Sequence, residues 1–255
     1  MNALEVENLT KGFGGVTAVD HISFHVEEGE TLGIIGPNGA GKTTVFNLIT
    51  GFYRPQHGTI RYYGKEITRL PSFRLPHMGI ARTFQNLRLF NRLTVFENVL
   101  SAALSRKGYN PFSATLRTVG YFVAESKAEE KTRTLIDFFG LTGKEDYHAD
   151  SLPYGEQRKL ELARALSTEP RLLLVDEPGA GMNSKEIRDF VKTIGEIKER
   201  FSLTILIIEH QMGLVMNISD RIMVMDFGEK IMEGTPAEVR KDKKVIEAYL
   251  GEEPT

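Results

Sequence analysis

The run Gly36-Pro37-Asn38-Gly39-Ala40-Gly41-Lys42-Thr43 constrains this chain more than any other. It satisfies the G-x-x-x-x-G-K-[ST] phosphate-loop pattern. Glycines let the backbone curl with its N–H groups pointing inward at an anion. Lys42 is then placed to neutralise β- and γ-phosphates, and the Thr43 hydroxyl to ligate Mg²⁺. The flanks agree. Thr31 to Ile35 is an apolar run suited to a buried parallel strand. From about Lys42 to Thr50 the pattern is helical, closed by Gly51, and the helix adds its N-terminal dipole to the site.

Composition narrows the field. The chain has 255 residues, enough for one large domain with a lobe and a substantial core. Lys and Arg total 32 against 34 Asp and Glu, so the basic excess of a DNA-coating protein is missing. Cysteine is absent, which excludes disulfides, thiolate zinc sites and thiol nucleophiles. No stretch approaches the roughly 18 consecutive apolar residues of a membrane-spanning helix. Met1 to Thr10 carries Glu5 and Glu7 and no basic lead-in, unlike a secretory signal. The expectation is a chain that is soluble by itself and stays where it is made, with contact to a membrane protein left open.

Along the chain the character changes twice. Leu4, Val6 and Leu9 precede a turn rich in glycine (Gly12, Gly14, Gly15), and Ile22, Phe24 and Val26 then alternate with polar residues as in a half-buried strand. Pro55, Gly58, Gly64 and Pro71 punctuate further short strands. Between about Asn86 and Thr168 the spacing turns helical, as in Leu135, Phe138 and Phe139, or Leu162, Ala163 and Leu166. Ser105 to Tyr121, with Gly108 and Pro111, reads as a loop or broken helix. After Pro170 the alternation of strand and helix returns. The order predicts an α/β core with a helical insertion.

Two further apolar strands end in polar pairs. Leu172-Leu173-Leu174-Val175 delivers Asp176 and Glu177 at its carboxyl end, where α/β proteins place ligands. Asp176 suits Mg²⁺, and Glu177 suits the general base that polarises an attacking water. Ile207-Ile208 leads to Glu209-His210, and the intervening stretch leaves room for one helix and a return. His210 is then expected beside Glu177.

In this order the motifs resemble the nucleotide-binding domain of an ABC transporter, over nearly the whole chain. The resemblance implies a P-loop NTPase with a RecA-like core, an N-terminal antiparallel β subdomain and an inserted α-helical subdomain. The domain would span 2–250, with 1–85 and 169–255 as the catalytic core and 86–168 as the helical part. It implies ATP and Mg²⁺ as ligands. Gly36, Asn38, Gly39, Ala40, Gly41, Lys42, Thr43 and Thr44 would hold the nucleotide, and Thr43, Gln85 and Asp176 the metal. Glu177, His210 and Gln85 would be the catalytic residues, with Gln85 marking the entrance to the helical lobe. Phe13 falls where the family stacks an aromatic on adenine, with Val19 nearby in the nucleotide-binding set; a plain hairpin-turn aromatic is the other reading of Phe13. Asn183 occupies the D-loop position, where Asp is usual.

The L-S-G-G-Q signature of the family matches Leu152-Pro153-Tyr154-Gly155-Glu156, which puts Tyr154, Gly155 and Glu156 against the nucleotide of an opposite subunit. Pro153 has neither the hydroxyl nor the N–H of the usual serine, and Ser151 is a possible substitute. The capping half is thus weakened while the phosphate loop is intact. This favours a heterodimer with a second ATPase subunit of fuller signature.

Gly14-Gly15-Val16-Thr17-Ala18-Val19, Arg82-Thr83-Phe84-Gln85-Asn86, Leu93-Thr94-Val95-Phe96-Glu97-Asn98-Val99 and the C-terminal Tyr249-Leu250-Gly251-Glu252 are most similar to the larger ATPase of branched-chain amino acid importers. The partners implied are membrane permease subunits, gripped at the cytoplasmic face, and indirectly a solute-binding protein, with no nucleic acid. Urea or amide importers, lipopolysaccharide exporters and non-transport ABC ATPases are the alternatives. Phe90, Leu93, Val95 and Phe96 either line the permease groove or fill the lobe's core. Glu125 to Arg133 and Arg240 to Lys244 read as solvated helix faces, and His21 with His25 lacks the carboxylates of a metal site.

Overall fold

A computed structural model describes residues 1–105 and 119–250. In chain order the strands are β1 (Asn2–Phe13), β2 (Val16–Glu27), β3 (Thr31–Ile35), β4 (His57–Tyr62), β5 (Lys65–Glu66), β6 (Ile80–Arg82), β7 (Leu172–Asp176), β8 (Thr204–Ile208), β9 (Arg221–Asp226) and β10 (Glu229–Gly234). The helices among the described residues are α1 (Lys42–Ile49), α2 (Val95–Ser105), α3 (Val119–Phe138), α4 (Tyr154–Ser167), α5 (Ser184–Phe201), α6 (Met212–Ile218), α7 (Pro236–Val239) and α8 (Lys243–Leu250). They form two compact units, Pro76–Pro170 and the remainder.

In the larger unit, an antiparallel sheet runs β2-β1-β4-β5. Its pairing sets Leu4 opposite Val26, Val6 opposite Phe24 and Leu9 opposite Ile22, so the alternating apolar residues share one buried face. The hairpin turn needs only Gly14 and Gly15, both at positive φ. Gly12 belongs to the strand, opposite Thr17, and not to the turn.

The second sheet of this unit runs β10-β9-β3-β8-β7, parallel from β9 to β7. Strands β3, β7 and β8 are buried at every position, as their unbroken apolar runs require of parallel strands covered on both faces. Register brings their carboxyl ends level: Ile34 and Asp176 both lie opposite Ile208. Helix α6 packs on β3, and Val215 joins Ile35, Ile222, Val224 and Val239 in one apolar cluster. A Cβ on Gly33 would lie 2.6 Å from both the Val215 methyl and the Ser219 hydroxyl, so only glycine lets α6 approach this closely.

In the smaller unit α2, α3 and α4 pack on one another. Thr94 and Glu97 form a reciprocal capping box at the start of α2. Asn98, fully buried, accepts from the Phe90 N–H and donates to the carbonyls of Phe90, Leu93 and Thr94, which fixes the loop leading into the helix. Val95 is core, Leu93 and Phe96 are half-buried, and Phe90 is exposed, so the four apolar residues do not act as one set. Ser105 ends α2 and Val119 to Tyr121 form the first turn of α3, where the sequence predicts a loop or broken helix; the rest of that prediction, 106–118, lies outside the described residues. No helix among the described residues is long and apolar enough to cross a membrane.

Gly33→Ala is expected to lower unfolding stability by about 1–3 kcal/mol, the usual penalty for overpacking. Urea unfolding with an unchanged midpoint would show that α6 yields freely.

Candidate nucleotide-binding and hydrolysis site

The loop between β3 and α1 is held from outside by main-chain oxygens. A Cβ on Gly36 would sit 2.0 Å from the Met225 carbonyl oxygen, and one on Gly41 would sit 2.1 Å from that of Ala18. Both glycines also have positive φ, 151° and 96°. The turn between β9 and β10 supports the same loop, since the Gly228 N–H donates to the Ala40 carbonyl and the Asp20 N–H to the Gly228 carbonyl. The Lys42 ammonium is buried and donates to the carbonyls of Gly36 (2.6 Å) and Pro37 (2.7 Å). Asn38, Gly39 and Thr43 are exposed, Thr44 is half-buried, and no acidic side chain occupies the first turn of α1. The curled backbone and the helix N-terminus together offer a positive cradle for phosphates.

The strand ends gather the acidic residues. Asp176 is buried at the last position of β7. Glu177 follows at φ 42°, an unusual backbone for a residue with a side chain, and its N–H donates to the Ile208 carbonyl. The His210 Nδ1 lies 3.8 Å from a Glu177 carboxylate oxygen, so the two residues expected side by side are so.

Glu209 was not singled out by the sequence reading. It is fully buried, and its carboxylate accepts from three main-chain N–H groups: Gly179 at 2.8 Å, His210 at 2.9 Å and Gln211 at 3.0 Å. An ionised carboxylate only accepts, so this is a matched set of donors. The other Glu209 oxygen contact, with His210 Nδ1, is 3.3 Å. Gln211 returns the link by donating its side-chain N–H to the Gly179 carbonyl at 2.9 Å. Gly179 lies two residues past Glu177, so this clamp sets the loop after β7 against the loop after β8. The signal in the sequence was a charged residue directly after the apolar run of β8.

The remaining candidates of this unit differ in character. Phe13 closes β1, is 42% exposed, and meets Tyr53 edge-on at 5.1 Å, so the hairpin carries an aromatic pair on its surface. Val19 is fully buried and has no surface to offer; its neighbour Ala18 supplies the carbonyl against Gly41. Asn183 caps α5, its oxygen accepting from Lys185 and Glu186 N–H groups while Glu186 returns a bond to the Asn183 N–H. That oxygen serves the helix start, which explains why Asn is suited to the position. No cluster of three or more metal-ligating side chains occurs among the described residues, His21 and His25 included.

In the smaller unit, Pro153 is the N-cap of α4, and Tyr154 and Gly155 are exposed in its first turn. The Glu156 carboxylate is bound by the Lys144 ammonium at 2.6 Å through both oxygens, so it is turned toward its own unit. The Ser151 hydroxyl donates to the His148 carbonyl. Gln85 is exposed, and its carbonyl accepts from Arg158. Burial holds the Glu161 carboxyl above its usual range, against the opposing pull of the Phe84 N–H and the Arg158 charge.

Residues 19–180 match the ABC transporter family, and residues 229–255 match the family of branched-chain amino acid ATP-binding cassette transporters. The high-affinity branched-chain amino acid transport ATP-binding protein LivG of Salmonella typhimurium is 45% identical over 98% of both chains. The corresponding protein BraF of Pseudomonas aeruginosa is 44% identical over 98% of both. A solved ATP-binding cassette of an ABC transporter, in its ADP conformation, superposes with a TM-score of 0.86 at 36% identity, covering 99% of this chain and 100% of that one. The phosphate loop, the level strand ends and these likenesses agree, and the chain belongs to the ABC transporter family as one of its ATP-binding proteins.

Proposed function

We propose that this chain is the ATP-hydrolysing subunit of an importer of branched-chain amino acids, working at the cytoplasmic face of the membrane through permease subunits. The observation that carries the hydrolytic part is Glu177 beside His210 at strand ends level with the phosphate loop. The match over residues 229–255 and the two relatives above carry the solute class.

ATP is held by Gly36 to Thr44, and Lys42 exchanges the carbonyls of Gly36 and Pro37 for β- and γ-phosphate oxygens. Thr43 and Asp176 offer oxygen donors that fit Mg²⁺, a hard cation satisfied by one or two protein oxygens, phosphate and water. When bound, that ion neutralises charge on the phosphates. Glu177 takes the proton of the attacking water, and His210, held by the Glu209 clamp, contacts the γ-phosphate. Gln85 serves the same nucleotide by resemblance. Phe13, with Tyr53, supplies an aromatic surface for adenine. A second ATPase subunit completes each site, because the signature residues Tyr154 and Gly155 face solvent at the start of α4. Pro153 lacks an N–H, and that loss favours a different companion subunit over a second copy.

Lys42→Ala is expected to abolish retention of ATP in equilibrium binding; tight binding by that variant would remove the nucleotide reading. Glu177→Gln is expected to bind ATP as the parent does while turnover falls by about 10²–10⁴-fold, the usual worth of a general base. Full phosphate release by Glu177→Gln would take that role from it. Adding the companion ATPase is expected to raise hydrolysis well above the sum of the separate rates. A fast, cooperative rate from this chain alone would count against the heterodimer.

A further inference from the structure

Arg158 and Glu161 form a buried pair on α4 that the nucleotide chemistry above does not use. They are only 4% and 3% exposed, and their charges are 3.5 Å apart. Between them they hold one residue, Phe84, by both its N–H and its carbonyl. The Phe84 N–H donates to Glu161 at 3.2 Å, and the Phe84 carbonyl accepts from Arg158 Nη1 at 3.1 Å. Nη2 donates to the Gln85 carbonyl at 2.9 Å and to the Tyr154 hydroxyl at 2.7 Å, and Nε donates to the same hydroxyl at 3.1 Å. The guanidinium presents its N–H donors in a planar fork, and here four hydrogen bonds and the Glu161 ion contact engage it. The Phe84 ring is itself stacked by Arg82 and Arg88, at 5.0 and 4.2 Å.

A buried guanidinium with this set of partners cannot turn without breaking several bonds together. The Gln85 main chain and the Tyr154 hydroxyl are therefore parts of one rigid piece. We propose that Arg158 is a positioning residue that locks the Gln85 segment to the signature turn, so that displacement of Gln85 carries Tyr154 with it. This rests on the reading that Gln85 attends the nucleotide of its own chain and Tyr154 that of the companion subunit. Under that reading Arg158 links the two nucleotides of the pair, and the link lies wholly within the smaller unit. Lysine would keep the charge, but as a point donor on a flexible stem it cannot hold two carbonyls and a hydroxyl in one plane.

The test uses the chain purified from membranes together with the subunits that accompany it, as parent, Arg158→Lys, Tyr154→Phe and the double variant. Arg158→Lys is expected to lower kcat for ATP hydrolysis by about ten- to a hundredfold, the scale of a small misplacement of catalytic groups, with KM for ATP within about twofold. Tyr154→Phe is expected to lower kcat less, and the double variant to be no slower than Arg158→Lys, since coupled residues are not additive. A kcat for Arg158→Lys within about twofold of the parent overturns the proposal, as does a KM that rises in step with the fall in kcat. Independent multiplication of the two effects also overturns it. Where Arg158→Lys does not fold, as judged by thermal melting, Tyr154→Phe decides alone: it removes only the hydroxyl that Arg158 holds, and a parental kcat there overturns the link. Lys42→Ala is the separate check. Parental retention of ATP in that variant overturns the nucleotide reading itself, and the role of Arg158 with it.

Discussion

Two main-chain oxygens, of Met225 and Ala18, leave the phosphate loop no room for a Cβ at Gly36 or Gly41. The rest of the site follows from that close approach. The Met225 carbonyl belongs to β9 and the Ala18 carbonyl to β2, so the loop is seated against a strand of each sheet. Its shape is therefore set by the larger unit as a whole and not by the local sequence alone. Lys42 is buried inside the same curl, where its ammonium is satisfied by the loop's own carbonyls. A lysine so held has little rotamer freedom left to lose when it turns to an anion.

Much of this was legible in the sequence because apolar runs and glycines act locally. The five residues of β3, and the starts of β7 and β8, read directly as strands because every position is apolar or neutral, as full burial demands. Glu177 and His210 could be set side by side because parallel register makes the ends of β7 and β8 level. The cap at Asn183 is a local pattern, since its partners Lys185 and Glu186 follow directly in the chain. The sequence could not show that Val19 points into the core, which depends on strand neighbours remote in sequence. Glu156 is the same case: the Lys144 that claims it precedes the signature, with no pattern to mark it.

Two buried carboxylates outside the motifs, Glu209 and Glu161, were the least legible features, and both act on main chain. Glu209 gathers N–H groups from the loops after β7 and β8, and Glu161 takes the Phe84 N–H beside Gln85. A loop that carries a catalytic residue must leave regular hydrogen bonding, so its N–H groups need other acceptors. A carboxylate at the end of a strand can satisfy several at once, as Glu209 does, and one two turns into a helix can reach a neighbouring loop, as Glu161 does. This is why acidic residues next to a motif, and not only those within it, shape the site.

The two units solve the same problem with different chemistry. In the larger one, Glu209 and Gln211 hold Gly179 from both its N–H and its carbonyl, so the strand-end loops are tied by neutral or singly charged groups. In the smaller one, the tie is a buried ion pair, and a buried ion pair tolerates no loss of either partner, since the survivor is left charged without compensation. Such a pair adds little stability over an apolar replacement, and here the four hydrogen bonds of Arg158 hold the groups around it in place. Under the proposed reading of this turn as the signature, Pro153 brings no N–H, and Tyr154 and Gly155 are the exposed residues that follow it. With one donor fewer, the placement of those that remain matters more, and the hydroxyl of Tyr154 is the group that Arg158 fixes from two of its nitrogens.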